Sequence, residues 1–202
     1  MHDDETDKRL GGRIRSLRRS RSLTLVQLAA LTGLSHPFLS QVERGQARPS
    51  MTSLGLIARA LASSSVELLA AATFSVPTTA SEDSVALVRR GSGFSGPFGE
   101  GTARLLAEGR RAFTPLEVIA ENAQFDEPFV HDEDEYLYVL AGITEVDLGA
   151  RGMMTLRRGD SLYYGGGTSH RWRSVDGKPY RLLVVKQQHA ETSVPDHSGG
   201  VA

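Results

Sequence analysis

Apolar residues in the first third of the chain recur with the spacing of amphipathic helices. Residues 24–48 predict two short helices, whose apolar positions are Leu28, Leu34, Leu39 and Val42. Gly33 falls between them, where the chain must turn with a positive φ. Thr24 and Ser35 each precede an apolar run and are good N-cap residues, and Pro37 falls in the first turn of the second helix. The pattern predicts two helices joined by a glycine turn.

The second predicted helix has a polar face at its N-terminal end. The members of this face are His36, Pro37, Ser40, Gln41 and Arg44, opposite the apolar side chains of Phe38, Leu39 and Val42. Short polar groups at a helix N-terminus can enter the major groove of DNA and reach base edges. The pattern is therefore typical of a helix-turn-helix that binds DNA.

The rest of the chain divides into a helical and a β-rich part. Helical periodicity continues over residues 51–72, and Ser63, Ser64 and Ser65 separate two further helices. Short β-rich runs follow, at Val85–Arg89, Thr102–Ala107, Leu116–Glu121, Glu135–Leu140, Thr144–Leu148, Met154–Leu156, Ser161–Tyr164, His170–Ser174 and Tyr180–Lys186. Many short strands with almost no helical period favour an antiparallel barrel or jelly roll.

These patterns predict an α + β chain of two domains. The helical domain covers residues 9–72, a linker rich in Ser, Thr, Ala and Pro covers 73–84, and the β-barrel covers 85–188. We expect residues 1–8 and 189–202 to be disordered tails.

Charge separates the two domains. Between Lys8 and Ala62 there are ten Lys/Arg residues and one acid, Glu43, whereas from Thr73 onward there are 13 Lys/Arg and 18 Asp/Glu residues. A basic head on an acidic body is explained most simply by binding to phosphate groups of DNA. A small helical bundle with a merely solvated basic surface is the alternative.

Composition excludes several classes of protein. The sequence contains no cysteine, which excludes disulfides, thiolate zinc sites and thiol redox sensors. The polar N-terminus is unlike a signal peptide, and the apolar runs are too short to span a membrane. We expect a cytoplasmic protein that does not act at a membrane.

The motifs LxxLAxLTGLS at 25–35 and LSQVERGxxxPS at 39–50 resemble the lambda-repressor-like (XRE) helix-turn-helix family. The resemblance implies a domain of five helices whose third helix lies in the groove of double-stranded DNA. It implies base contacts from His36, Ser40 and Gln41. It also implies phosphate contacts from Ser35, Arg44 and the first helix, where Arg15 is a candidate.

One position departs from that family. Many members begin the second helix with a glutamine that binds phosphate, and this chain has Leu25 there. The phosphate contact is therefore either lost or supplied by Thr24 or Gln27.

The β-rich body resembles the cupin family in HDEDEYLYVLAG at 131–142 and GDSLYYGGGTSHRWRS at 159–174. In metal-bearing cupins the first motif supplies two histidines and a glutamate and the second a third histidine. Alignment on Glu135 implies that His131, Glu135 and His170 are retained as ligands and that Phe129 stands at the first histidine position. Two imidazoles and a carboxylate suit one iron, manganese, nickel or zinc ion. The alternative is a polar cluster that lines an organic ligand pocket.

The β-rich body also holds candidates for an effector pocket. They are Phe129, Tyr138, Tyr164 and Trp172, although large aromatics on strands are commonly core residues. Strand alternation predicts that Trp172 shares the inward face of His170.

Three functions are compatible with this organisation. We expect a homodimeric transcription regulator that binds a pseudo-palindromic operator and responds to a small-molecule effector. The main alternative is a mononuclear non-haem iron oxygenase, because the ligand set resembles that of the hydroxypropylphosphonate epoxidases, which also join a helix-turn-helix to a cupin. A storage or structural barrel would not explain the basic head.

Overall fold

Five helices precede two antiparallel sheets in the computed structural model, which describes residues 2–73, 85–107 and 112–187. The helices are α1 (His2–Ser20), α2 (Leu25–Thr32), α3 (His36–Glu43), α4 (Met51–Ala60) and α5 (Ser65–Thr73). The strands are β1 (Ser95–Phe98), β2 (Gly101–Leu105), β3 (Phe113–Ala120), β4 (Glu135–Ala141), β5 (Ile143–Asp147), β6 (Met153–Arg157), β7 (Ser161–Tyr164), β8 (Arg171–Ser174) and β9 (Tyr180–Gln187). This order confirms the predicted α + β fold. We call α1–α5 the head and β1–β9 the sheet domain.

The first helix begins earlier than expected. Residues 2–8, predicted as part of a disordered tail, form the first turns of α1. Asp4 pairs with Lys8 at 2.8 Å and Glu5 with Arg9 at 3.3 Å, and such pairs four residues apart stabilise a helix. The other expected tail, 189–202, and linker residues 74–84 lie outside the described residues.

The head has its own apolar core, to which all five helices contribute. Its central side chains are Ile14, Leu28, Leu39, Ile57 and Leu68. Within the described residues no single helix is long and apolar enough to cross a membrane, although α4 and α5, bent by 104°, meet that test of length and composition only as a pair.

The sheet domain packs one sheet against the other. The large sheet has the strand order β1-β2-β3-β9-β4-β7, and the small sheet has the order β6-β5-β8. Their inward side chains form one core, which includes Leu116, Leu137 and Val184 from the large sheet and Val146 and Trp172 from the small one. The site described below lies where β4, β7, β8 and β9 converge on this core.

At the start of the sheet domain one predicted strand is absent and one strand was not predicted. Residues 85–89 form no strand, and Val85 and Leu87 are largely exposed. The first strand is instead Ser95–Phe98, whose sequence SGPF carries no β-rich signal. It lies at the edge of the large sheet, where a proline costs little because its missing N–H is not needed by a second neighbour.

Helix α5 joins the two domains. Leu68 and Ala72 on one face belong to the head core, whereas Val66 and Ala70 on another face belong to the core of the sheet domain. The approach is close, since a Cβ placed on Gly96 of β1 would lie 3.2 Å from Cγ2 of Val66. The head therefore packs directly on the sheet domain.

Candidate nucleic-acid interface and metal centre

Helix α3 presents its polar face to solvent. His36, Pro37, Gln41 and Arg44 are exposed, and Ser40 is half-buried. The opposite face, Leu39, Val42 and Glu43, is buried against the head. All five side chains expected to face DNA therefore lie on one accessible side, and they extend from the first turn of α3 to the residue that caps its C-terminus.

The turn before α3 has the predicted geometry. Gly33 has φ 68°, and no atom lies within 4 Å of a Cβ placed there, so glycine is needed for the backbone conformation rather than for space. Ser35 caps α3 by accepting a hydrogen bond from the Phe38 N–H at 3.3 Å. These local features fix the direction of α3 relative to α2.

The two candidates for the phosphate contact beside Leu25 form one capping box. Thr24 Oγ1 accepts from the Gln27 N–H at 3.2 Å, and Gln27 Oε1 accepts from the Thr24 N–H at 2.8 Å. These bonds use the Gln27 oxygen, so its amide NH₂ remains a donor group on an exposed side chain. Arg15 is also exposed, on α1. Leu25 itself packs against the head core.

Of the two charged residues at the C-terminal end of α3, only Glu43 holds the helix in place. Arg44 is exposed. Glu43 is buried, and its two carboxylate oxygens accept hydrogen bonds from Nε of Arg18 at 2.6 Å and from Nη2 of Arg18 at 2.9 Å. This two-point ion pair joins α3 to α1, and it leaves Arg44 available for DNA.

The sheet domain brings together the three residues implied as metal ligands. One ligand atom from each of His131, Glu135 and His170 lies within 4.8 Å of the other two, although His170 follows Glu135 by 35 residues in the sequence. The exposed fractions of the three residues are 5%, 2% and 2%, respectively. The cluster is thus compact and shielded from water.

Both histidine rings are held through Nδ1 by a backbone carbonyl oxygen. His131 Nδ1 lies 3.0 Å from the oxygen of Glu133, and His170 Nδ1 lies 2.9 Å from the oxygen of Thr168. Because a carbonyl oxygen only accepts, Nδ1 carries the proton on each ring. The Nε2 atoms then face Glu135, at 3.0 Å for His131 and 3.5 Å for His170.

This arrangement fits a divalent cation. A lone pair on Nε2 that faces a carboxylate at 3.0 Å requires a proton or a metal ion between the two atoms. Backbone carbonyls that fix the Nδ1 proton are the usual means of orienting metal-binding histidines. The donor set therefore matches the chemistry of a transition-metal site on geometry as well as on residue type.

The charge states of the cluster also suit a cation. Burial alone would raise the pKa of Glu135, but the hydrogen bond to His131 and the charge of Lys186 bring that pKa down to about 2. Burial lowers the pKa of His170 and raises that of Tyr164 well above its usual value. At neutral pH Glu135 is therefore an anion, His170 is neutral, and Tyr164 donates to Glu135 Oε2 at 2.5 Å.

Aromatic side chains cover the His170 side of the cluster. Phe129 stacks on His170 with ring centroids 6.2 Å apart, and Trp172 stacks on it at 5.8 Å. Phe129 and Trp172 also line a small cleft, together with Phe98, Asn122, Tyr180 and Arg171. The cleft thus adjoins the ligand cluster across the ring of His170.

One expected pocket residue is misplaced. Tyr138 lies on β4 at an odd offset from Glu135, so its side chain points to the outer face of the large sheet. Tyr164 is buried beside Glu135, as its hydrogen bond requires, and does not line the cleft. Of the four aromatic candidates, only Phe129 and Trp172 line the cleft.

Lys186 belongs to the site and was missed from sequence. Its Nζ lies 3.8 Å from Glu135 Oε1, and the residue is 5% exposed. Lys186 follows Leu182 and Val184 on the inward face of β9. A charged residue at an inward position of a strand is a usable signal, because buried ammonium groups need a partner.

Family models match both domains. The model described as "Helix-turn-helix" matches residues 14–68, and that described as "Cupin domain" matches residues 115–186. An uncharacterized HTH-type transcriptional regulator of Mycobacterium tuberculosis is 42% identical over 72 residues, which are 36% of this chain and 51% of that relative. Another, of Sinorhizobium fredii, is 39% identical over 62 residues, which are 31% of this chain and 80% of that relative. The match thus spans about half the length of the first relative.

Two solved structures resemble almost the whole chain. An HTH_3 family transcriptional regulator from Vibrio cholerae has a TM-score of 0.53 and 21% identity, covering 93% of this chain and 99% of that one, which shows the fold alone. HEPD of Streptomyces albus, with 2-hydroxyethylphosphonate and Fe(II) bound, has a TM-score of 0.50 and 26% identity, covering 91% of this chain and 42% of that one.

Proposed function

Because the chain belongs to the helix-turn-helix family of transcriptional regulators and carries a C-terminal cupin domain, we propose that it regulates transcription in response to a small molecule. The observation that supports DNA binding most is the exposed polar face of α3 on a basic head. Double-stranded DNA in the cytoplasm is the proposed partner. His36, Ser40 and Gln41 would contact bases, and Ser35 and Arg44 would contact phosphates.

A metal ion is part of the proposal. Nε2 of His131, Nε2 of His170 and the carboxylate of Glu135 would hold one iron, manganese, nickel or zinc ion. Such an ion supplies a Lewis-acid centre with open positions for an effector. The Tyr164 hydroxyl fixes the orientation of Glu135, and the two Nδ1 hydrogen bonds fix the imidazole rings.

The proposed effector is partly hydrophobic with one polar or anionic end. The cleft beside His170 is walled by Phe98, Phe129 and Trp172, which suit an apolar body. Asn122, Arg171, Glu100 and Asp126 on its lining supply groups for a polar end. All the described residues that line the cleft belong to the sheet domain, so the effector would bind there rather than on the head.

We infer that two copies act together, since one short helix contacts too few base pairs to specify a site. The outer face of the large sheet is the proposed contact, because it carries Ile119, Tyr136, Tyr163 and Val185. Ion pairs lie on the outer faces of both sheets, Arg173–Glu145 at 2.7 Å on the small sheet and Arg104–Glu117 at 2.6 Å on the large one. The four strands that carry these residues have 8, 7, 4 and 8 residues and cover roughly 430 Å², about half of the ~800 Å² that one partner contributes to a stable interface.

Sedimentation tests the dimer. Tyr136→Glu with Ile119→Lys should convert a dimer at micromolar concentration into a monomer, because both changes place charges in the contact. Met153→Glu is the control, since Met153 is exposed and apolar but lies on the small sheet. A wild-type monomer, with and without DNA, would contradict the proposal.

DNA binding and the response to a small molecule are tested one after the other. Selection from a random pool of double-stranded DNA should enrich a palindrome, and a screen should then find small molecules that release it. His131→Ala combined with His170→Ala should abolish that release and leave operator binding intact. Release by the double variant at the same effector concentration would show that this site is not the sensor.

A non-haem iron oxygenase is the second candidate. Two histidines and one carboxylate are the ligand set of such enzymes, and the chain resembles the Fe(II)-bound HEPD structure at 26% identity. The basic head opposes this function, because residues 8–62 hold ten Lys/Arg residues against one acid, which a scaffold would not need. Stoichiometric iron together with failure to enrich any DNA sequence would favour the enzyme.

A further inference from the structure

Each candidate ligand contacts the head through one intermediate residue, and the first chain of contacts starts at His131. Its Nδ1 lies 3.4 Å from Glu133 Oε2. The other carboxylate oxygen of Glu133, Oε1, lies 3.7 Å from Arg21, the residue that follows α1. Glu133 therefore stands between the site and the end of the first helix.

The second chain of contacts starts at Glu135. Lys186 Nζ lies 3.8 Å from Glu135 Oε1 and 3.6 Å from Glu67 Oε1, so one buried ammonium group is shared by two carboxylates. Glu67 is on α5, where its Oε2 also accepts from the Ser64 N–H at 2.9 Å. A change in charge at Glu135 therefore acts on Lys186, the residue that contacts Glu67 of α5.

The third chain of contacts starts at His170. Phe129 stacks on this ring and exchanges two backbone hydrogen bonds with His170, at 2.8 and 2.9 Å. The guanidinium carbon of Arg59, on α4, lies 5.5 Å from the Phe129 ring centroid. Arg59 also donates to the Glu127 carbonyl at 3.0 Å. The loop that supports His170 is thus held by the head.

We propose that these three contact chains couple the binding of a divalent cation at the site to the position of the head on the sheet domain. A change in that position then changes the affinity for DNA. This inference rests on the proposed function, because it requires both the cation site and DNA binding. A dication on Glu135 repels the Lys186 ammonium. Lys186 then depends more on Glu67, so the contact between the sheet domain and α5 tightens.

The head transmits this change to α3 without contact between α3 and the site. Arg21 directly follows α1, and the buried Arg18–Glu43 pair fixes α1 to α3. A shift of α1 therefore carries the DNA-binding helix with it. In a dimer such a shift alters the distance between two recognition helices, which must match half-sites roughly 34 Å apart.

Two substitutions test the coupling without touching a ligand or the DNA face. Glu67→Gln removes the charge that faces Lys186 and keeps an acceptor for Ser64. Arg59→Met removes the guanidinium over Phe129; Arg59 is exposed, so this variant tests the idea even if Glu67→Gln is unstable. Glu121→Gln and Arg151→Met are the matched controls, since they change the same charges at exposed positions of the sheet domain.

The full chain is used, with Zn²⁺ as the probe and the selected palindrome as the DNA. Saturating Zn²⁺ should change the DNA dissociation constant of the wild type by about 5- to 150-fold, the usual range for coupled sites. The Glu67→Gln/Arg59→Met variant, which removes two of the three contact chains, should show a change several-fold smaller than that of the wild type, and the control pair should match the wild type.

A distance measurement gives a readout that is independent of DNA. The chain has no cysteine, so Ala30→Cys and Ala150→Cys place one spin label on the head and one on the sheet domain. Zn²⁺ should narrow the distance distribution between the labels, and Glu67→Gln/Arg59→Met should reduce that narrowing.

The outcomes separate this inference from the proposed function. Failure of the wild type to bind Zn²⁺ or DNA removes the proposed function itself and the coupling with it. Binding of both with a DNA dissociation constant that Zn²⁺ leaves unchanged overturns the coupling alone. An equal loss of the Zn²⁺ effect in the control pair also overturns it, because the contact chains would then have no special role.

Discussion

The head and the sheet domain place their candidate functional residues in opposite environments. His36, Gln41 and Arg44 of the head are exposed, whereas His131, Glu135 and His170 of the sheet domain are buried. An exposed cation meets a phosphate without prior loss of hydration energy, but a buried carboxylate is stable only with partners already in place. The comparison teaches that the head can change its DNA contacts freely, while the sheet domain must keep its site and its fold together.

The largest expected effect tests the buried Arg18–Glu43 charge pair, which lies within the head. Glu43→Ala would leave Arg18 buried without its carboxylate, and it should lower the free energy of unfolding by about 3–5 kcal/mol. Denaturant unfolding of the full chain measures this change. Arg44→Ala, one residue later and exposed, should stay within about 0.5 kcal/mol of the wild type. If both substitutions lowered the free energy of unfolding equally, burial would not explain the difference expected between the two positions.

The next effect concerns the exposed face of α3. His36→Ala and Gln41→Ala should each weaken binding to the selected operator by about 1–3 kcal/mol and relax the base preference. Unfolding should not change, because neither side chain packs against the head. Fluorescence anisotropy with the operator and with single-base variants measures both quantities. An unchanged preferred sequence for Gln41→Ala would show that the face that contacts bases lies elsewhere.

A smaller effect concerns Ser35, an exposed residue that contributes to stability. Ser35 is exposed, yet its hydroxyl oxygen caps α3, so Ser35→Ala should lower the free energy of unfolding by about 1 kcal/mol. Ser35→Gly is the matched variant, since glycine at an N-cap costs only a few tenths of a kcal/mol. Similar unfolding curves for Ser35→Ala and the wild type would argue that the cap adds nothing.

The smallest effect concerns Arg15. Arg15→Ala should weaken binding to every DNA sequence alike and reduce the salt dependence of log K by about one unit, as loss of one phosphate contact predicts. Binding isotherms from low to moderate salt measure the slope. Arg151→Ala, exposed on the sheet domain, serves as the control and should leave the slope unchanged.

The same contrast explains what could be predicted from sequence. The caps at Thr24 and Ser35 and the positive φ of Gly33 depend on residues within a few positions, so periodicity was sufficient to find them. The convergence of His131, Glu135 and His170 needed the cupin resemblance, because it depends on strands far apart in sequence.

Other features could not be found locally. Lys186 lies between Glu67 and Glu135, and no pattern along one strand indicates which helix will pack beside it. β1 was missed because Gly and Pro dominate SGPF. The error at Tyr138 was avoidable, since an offset of three from Glu135 already places the two residues on opposite faces of a strand.

Helix α5 has a consequence for how the chain folds. Because Val66 and Ala70 complete one core while Leu68 and Ala72 complete the other, neither core is finished without this helix. Heat or denaturant should therefore melt the two domains in a single transition rather than in two steps. A fragment that ends after α5 would expose one apolar face of that helix to water and would tend to aggregate. The chain would then have two domains by sequence but unfold as one cooperative unit.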